Sequence, residues 1–202
     1  MTRRLVLLRH GRTEWNHRGR VQGQQDVSLD DTGRSQAAAV APVMAAMAPA
    51  LLWCSDLART RETAEPLAAV TGLVPTYDAR LREFFFGDRE RLTHAEYLAL
   101  DPEGYQEFRR GNYDATPGAE PTAEVRKRMV AALEDLLADL GPGQTGVVVS
   151  HGAAIRVATA AMLGWPEDQF HTLRGLDNCG WAVLEEDPWV GELRLGSYNR
   201  GL

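Results

Sequence analysis

Two short apolar runs in this chain end in the same way, and that repetition constrains the fold more than any other feature. Leu5 to Leu8 runs into Arg9-His10-Gly11, and Val147 to Val149 runs into Ser150-His151-Gly152. Short apolar runs closed by polar and turn-forming residues read as buried strands. Each strand therefore delivers a histidine to its carboxyl end, the edge at which open α/β sheets bind ligands. Glycine after each histidine lets the backbone approach a ligand and is expected to leave an N–H free for an oxyanion. Taken alone, Arg9-His10-Gly11 is equally well a basic surface turn. The second copy makes it half of a paired site.

The rest of the chain alternates between strand and helix patterns. Gly11 to Asp31 is polar and reads as a long loop over the sheet edge. Thr32 is expected to cap a helix that runs from Arg34 toward Pro49. Leu51 to Cys54 forms the second strand, Ser55 or Asp56 is expected to cap a helix over Leu57 to Val70, and Gly72 stops it before a short strand at Val74 to Tyr77. From Glu120 to Leu140, Val125, Met129, Ala132, Leu133, Leu136, Leu137 and Leu140 follow the 3.6-residue period of an amphipathic helix. A helix from Gly152 to Leu163 and two final strands, Trp181 to Glu185 and Leu193 to Tyr198, complete the pattern. Such alternation predicts an α/β protein: a three-layer α/β/α sandwich with a mostly parallel central sheet. The 202 residues suffice for a single domain, 1–202. The less regular stretch at about 80–122 reads as an inserted covering segment, because its apolar content is too thin for a core of its own. Short helices are expected there around His94 to Leu100 and Glu103 to Arg110.

Composition narrows the partners. A formal net charge of -6 argues against nucleic acid and against an anionic membrane surface, so any phosphorylated ligand must be held by local arginines. Ala37 to Cys54 carries no charge and nominally reaches spanning length, but it is rich in alanine and contains Pro42 and Pro49, so it reads as a helix followed by a buried strand. The apolar run after Met1-Thr-Arg-Arg is too short for a secretion signal, and Cys54 and Cys179 lie in apolar contexts. Both observations point to a cytoplasmic protein with free thiols. Assembly as a homodimer stays open.

Chemistry gathers around the two histidines. Arg9 flanks His10, and Arg59 falls in the first turn of the helix after the second strand, itself an anion-binding position. Guanidinium forks suit a phosphate dianion. Arg9-His10-Gly11-Arg12-Thr13 with Asn16, Ser55-Asp56-Leu57-Ala58-Arg59-Thr60 with Thr63-Ala64, Leu81-Arg82-Glu83 with Gly87, and Ser150-His151-Gly152 occur in that order. This set closely resembles the histidine phosphatase superfamily, the phosphoglycerate mutase-like family. The resemblance implies that His10 accepts the phosphoryl group, that Arg9, Arg59 and His151 form the phosphate pocket with Asn16, and that Glu83 donates the proton. Gln22, Gly23 and Gly152 join the binding residues on the same ground. It further implies that no metal and no other cofactor is needed; His17, His94 and His171 have no partner at metal-ligand spacing.

The implied reaction is metal-independent hydrolysis of a phosphomonoester through a phosphohistidine. A nucleophilic imidazole must be neutral, and flanking arginines favour that form. His151, if protonated, would add positive charge for the transferring oxygens. Phe84 to Phe86 offer apolar surface to wall the Glu83 carboxyl, with core packing expected for at least one of the three, and for Glu83 a pairing to Arg80 or Arg82 is the structural alternative. Arg126-Lys127-Arg128 reads as a solvated helix face. The expected partner is a small phosphorylated metabolite, and similarity to actinobacterial phosphatases points to a phosphorylated sugar acid such as glucosyl-3-phosphoglycerate. Alternatives are a cofactor-dependent phosphoglycerate mutase and a non-catalytic phospholigand binder. Arg89 and Arg91 stand where family members often carry tryptophan and glycine, and Gly118-Ala119-Glu120 replaces a common glycine-glutamate-serine pattern. Arg82, Arg89 or Arg91, with Arg18 or Arg20, is expected to meet a second negative group on the substrate.

Overall fold

The computed structural model describes residues 2–201. Strands β1 (Arg4–Arg9), β2 (Pro49–Cys54), β3 (Thr76–Tyr77), β4 (Thr145–Ser150), β5 (Trp181–Glu186) and β6 (Leu193–Arg200) form one sheet in the order β3-β2-β4-β1-β5-β6. The pairings β3-β2, β2-β4 and β4-β1 are parallel, whereas β5 runs antiparallel to β1 and β6 to β5. Alternating side chains serve opposite faces. Leu5, Leu7 and Val148 pack with Met129, Leu133 and Ile155, from α6 (Thr122–Asp139) and α7 (Gly152–Met162). Val6, Leu8, Val147 and Val149 pack with Val40, Met44 and Leu67, from α2 (Asp31–Ala45) and α3 (Ala58–Thr71). With both faces covered, β1 and β4 are continuously apolar through their centres, Leu5 to Leu8 and Val147 to Val149, as buried central strands require. The expected α/β/α sandwich is therefore the fold.

Helix starts differ from the sequence reading in instructive ways. Asp30, not Thr32, caps α2, accepting the Gly33 N–H at 2.8 Å; Thr32 Oγ1 instead accepts from Arg12. Neither Ser55 nor Asp56 caps α3, whose N-cap position is Leu57 with no side-chain bond. Asp56 accepts two bonds from Arg82, at 2.7 and 2.6 Å, and Ser55 is drawn into the site described below. A tertiary partner outcompeted the local cap in both cases. The loop after β1 also holds one turn of helix, α1 (Glu14–His17), closed by a capping box in which Thr13 Oγ1 accepts from Asn16 N–H and Asn16 Oδ1 accepts from Thr13 N–H.

The segment over the sheet edge contains α4 (His94–Leu100) and α5 (Pro102–Arg110). Its Phe84, Phe86, Tyr97 and Tyr113 belong to the same buried cluster as Leu5 and Ile155. Phe86 meets Phe108 and Tyr113 edge-on at 5.2 Å each, a geometry that aromatic quadrupoles favour. Among the described residues, no helix is long and apolar enough to cross a membrane.

Candidate active site

The register of the two central strands sets the site. Leu8 pairs with Val149 and Arg9 with Ser150, so the next residues, His10 and His151, leave the sheet side by side with ring centroids 5.3 Å apart. His10 Nδ1 lies 2.7 Å from the carbonyl oxygen of Gly11. A carbonyl only accepts, so Nδ1 carries the proton and Nε2 keeps its lone pair. Burial, followed by the charges of Arg59 and Arg9, holds the His10 imidazole well below its ordinary value of 6.5, as a neutral base.

Arg59 is 1 % exposed and reaches the histidine pair from α3. Its Nε–H donates to His151 Nδ1 at 3.2 Å, and its two terminal nitrogens donate to the carbonyls of Gln25 and Gly23 at 2.8 and 2.7 Å. Desolvation brings its pKa down to about 10, still a cation at neutral pH. His151 Nε2 lies 2.9 Å from Ser55 Oγ. Its imidazole, too, is pushed well below 6.5, by burial first and then by Arg59 and His10. The sequence leaves a charge on His151 conditional on its protonation; with Nδ1 accepting from Arg59 and burial holding the imidazole low, the structure favours the neutral form. Arg9 donates to the carbonyl of Leu176, and its Nε is buried without a protein partner, a donor well suited to an oxyanion.

Glu83 answers the choice between catalysis and a local ion pair. Arg80 pairs with Asp78 and Asp135, and Arg82 with Asp56, leaving Glu83 to neither. Its carboxylate accepts from Ala153 N–H at 3.1 Å and Ala154 N–H at 2.9 Å, at the start of α7, and from Phe84 N–H at 3.0 Å. The three phenylalanines divide: Phe84 is buried in the core, as expected for at least one of them, Phe86 lines a cavity together with Glu83, and Phe85 is 44 % exposed. Arg128 is no solvated helix residue. Its guanidinium donates to the carbonyls of Arg80, Arg82 and Glu83 and to the Glu120 carboxylate, clamping the strap that carries Glu83.

A cavity of about 140 Å³ collects these groups. Arg9, His10, Asn16, Gln22, Gly23, Arg59 and Glu83 all line it, together with Arg20, His94 and Phe108. His151 and Gly152 are not among the lining residues; His151 is fully buried beside His10. Asn16 Oδ1 accepts from Thr13 and from Asn178 Nδ2, and Thr13 Oγ1 lies 2.9 Å from Gln22 Oε1, so both amides are held by Thr13. Gly11 corrects a second expectation: its N–H is not free but donates to Thr63 Oγ1 at 3.0 Å, and its lack of a side chain lets it pass the Gly33 backbone, where a Cβ would come within 2.6 Å. Gly23 has φ +54°, and a Cβ there would overlap Glu90 Oε1. A larger open cleft of about 880 Å³ lies on the other side of α5, between it, α6 and α7. It contains none of these groups, and its Arg110 and Arg126 are paired with Glu107 and Glu167. Among the described residues, no group of three or more His, Cys, Asp or Glu is placed to hold a metal ion.

His10, Arg9, Arg59 and the Glu83 carboxylate line one cavity, with His151 at the adjacent strand end, a set of groups suited to phosphoryl transfer. The chain belongs to the histidine phosphatase superfamily (branch 1), whose family model matches residues 5–197. The glucosyl-3-phosphoglycerate phosphatase of Mycolicibacterium vanbaalenii is 39% identical over 188 residues, covering 90% of this chain and 84% of the relative. A Cronobacter sakazakii protein named Probable phosphoglycerate mutase GpmB is 37% identical over 190 residues, covering 92% of this chain and 87% of its own. The solved structure of a mycobacterial glucosyl-3-phosphoglycerate phosphatase with VO3 superimposes with a TM-score of 0.92 at 37% identity, covering 98% of this chain and 100% of that one. The class that fold, site and relatives define is a phosphatase.

Sequence reasoning missed Ser55, Asn178, Glu90 and Arg128 as parts of the site's framework. Ser55 sits inside a recognised motif, but its bond to a histidine 96 positions away carries no local signal. Asn178 Nδ2 donates to the carbonyl of His10 from a loop before β5 and has no periodicity to betray it.

Proposed function

We propose that this phosphatase acts through a phosphohistidine at Nε2 of His10, without a metal, on a small phosphorylated metabolite, with a phosphorylated sugar acid as its substrate class. The observation that carries the reading is the bared Nε2 of a neutral His10 in a cavity also lined by Arg9, Arg59 and Glu83. In the first half-reaction Nε2 bonds to phosphorus, the P–O ester bond breaks, and Glu83 gives its proton to the leaving oxygen. In the second, water attacks phosphorus, the N–P bond breaks, and Glu83 takes the water's proton. Arg9 and Arg59 hold the equatorial oxygens as charge spreads over them, with Asn16 and Gln22 as further donors from the loop beside Gly23. His151 contributes as a neutral imidazole that fixes Arg59, and Gly152 lets the Arg9 guanidinium lie close to the start of α7, where a Cβ would meet its Nε at 3.3 Å.

The sugar-acid class follows the mycobacterial relatives, which are named glucosyl-3-phosphoglycerate phosphatase. The likeness to proteins named as phosphoglycerate mutases keeps a second outcome, return of the phosphoryl group to a sugar acid rather than to water. Cytoplasmic residence accords with Cys54 and Cys179, both free and buried, whose thiols burial pushes up to about 12. Rapid quench with a labelled phosphomonoester tests the mechanism. An acid-labile phosphoenzyme at His10, lost in His10→Ala together with at least about 10³-fold of phosphate release, is expected. Turnover without such an intermediate overturns it. Isomerisation of phosphoglycerate in place of phosphate release would assign the mutase outcome.

A further inference from the structure

Among the charged and aromatic side chains that line the cavity, two sets can be distinguished by their place in the fold. Arg9, His10, Arg59 and Glu83 come from the sheet edge and its strap, whereas Arg20, His94 and Phe108 come from the loop after α1 and the covering helices. These last three are tied to one another: His94 N–H donates to the carbonyl of Gly19 at 2.7 Å, Arg20 forms a β-bridge with Thr93, and the rings of His94 and Phe108 lie 6.2 Å apart. A phosphoester bound at His10 would share its cavity with this second set.

Five arginines were expected to meet a second anionic group, and four are otherwise engaged. Arg82 is paired with Asp56 and Arg18 with Glu14 at 2.6 Å each. Arg89 is paired with Asp101 and lies over the Tyr97 ring, and Arg91 holds Gln25 Oε1 through two nitrogens. None of the four lines the cavity. Arg20 does, and among the described residues no carboxylate lies within ion-pair distance of it. Its orientation is nonetheless fixed. One terminal nitrogen donates to the carbonyl of Arg91 and the guanidinium lies 5.7 Å from the centre of the Trp15 ring, while the Arg20 backbone N–H anchors the residue to the carbonyl of Trp15 at 2.8 Å. A guanidinium has five N–H donors in a planar fork, so several remain for a ligand.

We infer that Arg20 binds a carboxylate carried by the leaving group of the substrate, close to the phosphoester, and so makes the site selective for phosphorylated acids over phosphorylated alcohols. An oriented, unpaired guanidinium in an otherwise acidic protein contributes little to a neutral leaving group and gives a carboxylate a charge-assisted bond. The assignment rests on the phosphatase reading and adds to it the residue that selects the acid.

Two competitors with one carbon skeleton test this: 3-phosphoglycerate, which carries the carboxylate, and glycerol 3-phosphate, which lacks it. Each is measured as an inhibitor of 4-nitrophenyl phosphate hydrolysis by the full chain. Wild type should bind 3-phosphoglycerate more tightly. Arg20→Ala should reduce the ratio of the two inhibition constants by roughly tenfold or more, Arg20→Lys should keep part of it, and Arg18→Ala, on an exposed ion pair outside the cavity, should keep all of it. Arg20→Gln replaces the alanine variant should thermal unfolding show that protein to be misfolded. An unchanged ratio in folded Arg20 variants overturns the assignment while leaving the phosphatase reading intact. Absence of any His10-dependent hydrolysis in wild type would remove both.

Discussion

Arg59 donates its Nε–H to Nδ1 of His151 at 3.2 Å, and the partner across the ring, Ser55 Oγ, lies 2.9 Å from Nε2. A nitrogen that accepts from a guanidinium carries no proton, so the Nε2–H is the donor to Ser55. The second histidine of the pair thus positions an arginine; the positive charge belongs to Arg59 and Arg9. Ser55→Ala should leave the buried Nε2–H unpaired, at about 1–3 kcal/mol. Thermal unfolding should report the lost stability, and the inhibition constant for inorganic phosphate should rise because Arg59 loses its backing. Unchanged values in both would break the link between Ser55 and the phosphate pocket.

Two neutral buried histidines make stability depend on pH in a defined direction. Both imidazoles are held well below 6.5 in the folded protein and return to about that value on unfolding. Below 6.5 the unfolded state binds more protons than the folded state, so stability is full above that pH and is lost as pH falls. Melting temperature should therefore drop between about pH 7 and pH 5, a window above the range of the carboxylates. His10→Gln should flatten the drop; an equally steep profile in that variant would show that the histidine pair does not cause it.

Glu90 is 7 % exposed, and its carboxylate gathers the loop that supports Arg59. It accepts from Gln24 N–H at 2.8 Å, from Phe86 N–H at 3.2 Å and from the Gln25 side chain. Gly23 and Gln25 then present their carbonyls to Arg59. Glu90→Gln keeps the shape but sets one N–H group against another. It should weaken inorganic phosphate binding by about tenfold, with a smaller effect on thermal stability than Glu90→Ala. Full phosphate affinity in Glu90→Gln would show that the loop holds Arg59 without it.

Arg128 does for Glu83 what Glu90 does for Arg59. Three carbonyls and one carboxylate share its guanidinium. Arg128→Lys offers one compact ammonium in place of a planar fork and should not restore what Arg128→Ala loses. Both variants should lower kcat by roughly ten- to a hundredfold with little change in KM, since Glu83 acts on the leaving group. A loss confined to KM would place the effect in binding instead.

The sequence by itself determined the sheet, the two His-Gly strand ends and the order of the motifs. Burial of short apolar runs and the helical period leave few alternatives for Leu5 to Leu8 or Val125 to Leu140. Arg9, His10, Asn16, Gln22, Gly23, Arg59 and Glu83 were candidates from the family resemblance, because each sits in or beside a compact motif, and the fold brings them to one cavity. Tertiary structure decided which of several equivalent chemical groups does what. Arg18 has a local signal, its i,i+4 partner Glu14, but nothing local distinguishes Arg128 from Arg126 or shows that Arg20 enters the cavity; those roles depend on whether a carboxylate or a carbonyl from a distant segment lies within reach. The protonation of His151 and the occupied N–H of Gly11 are set in the same way, by Arg59 and Thr63 arriving from α3. Hydrogen bonds form between groups adjacent in space, and only the packed sheet makes these residues neighbours.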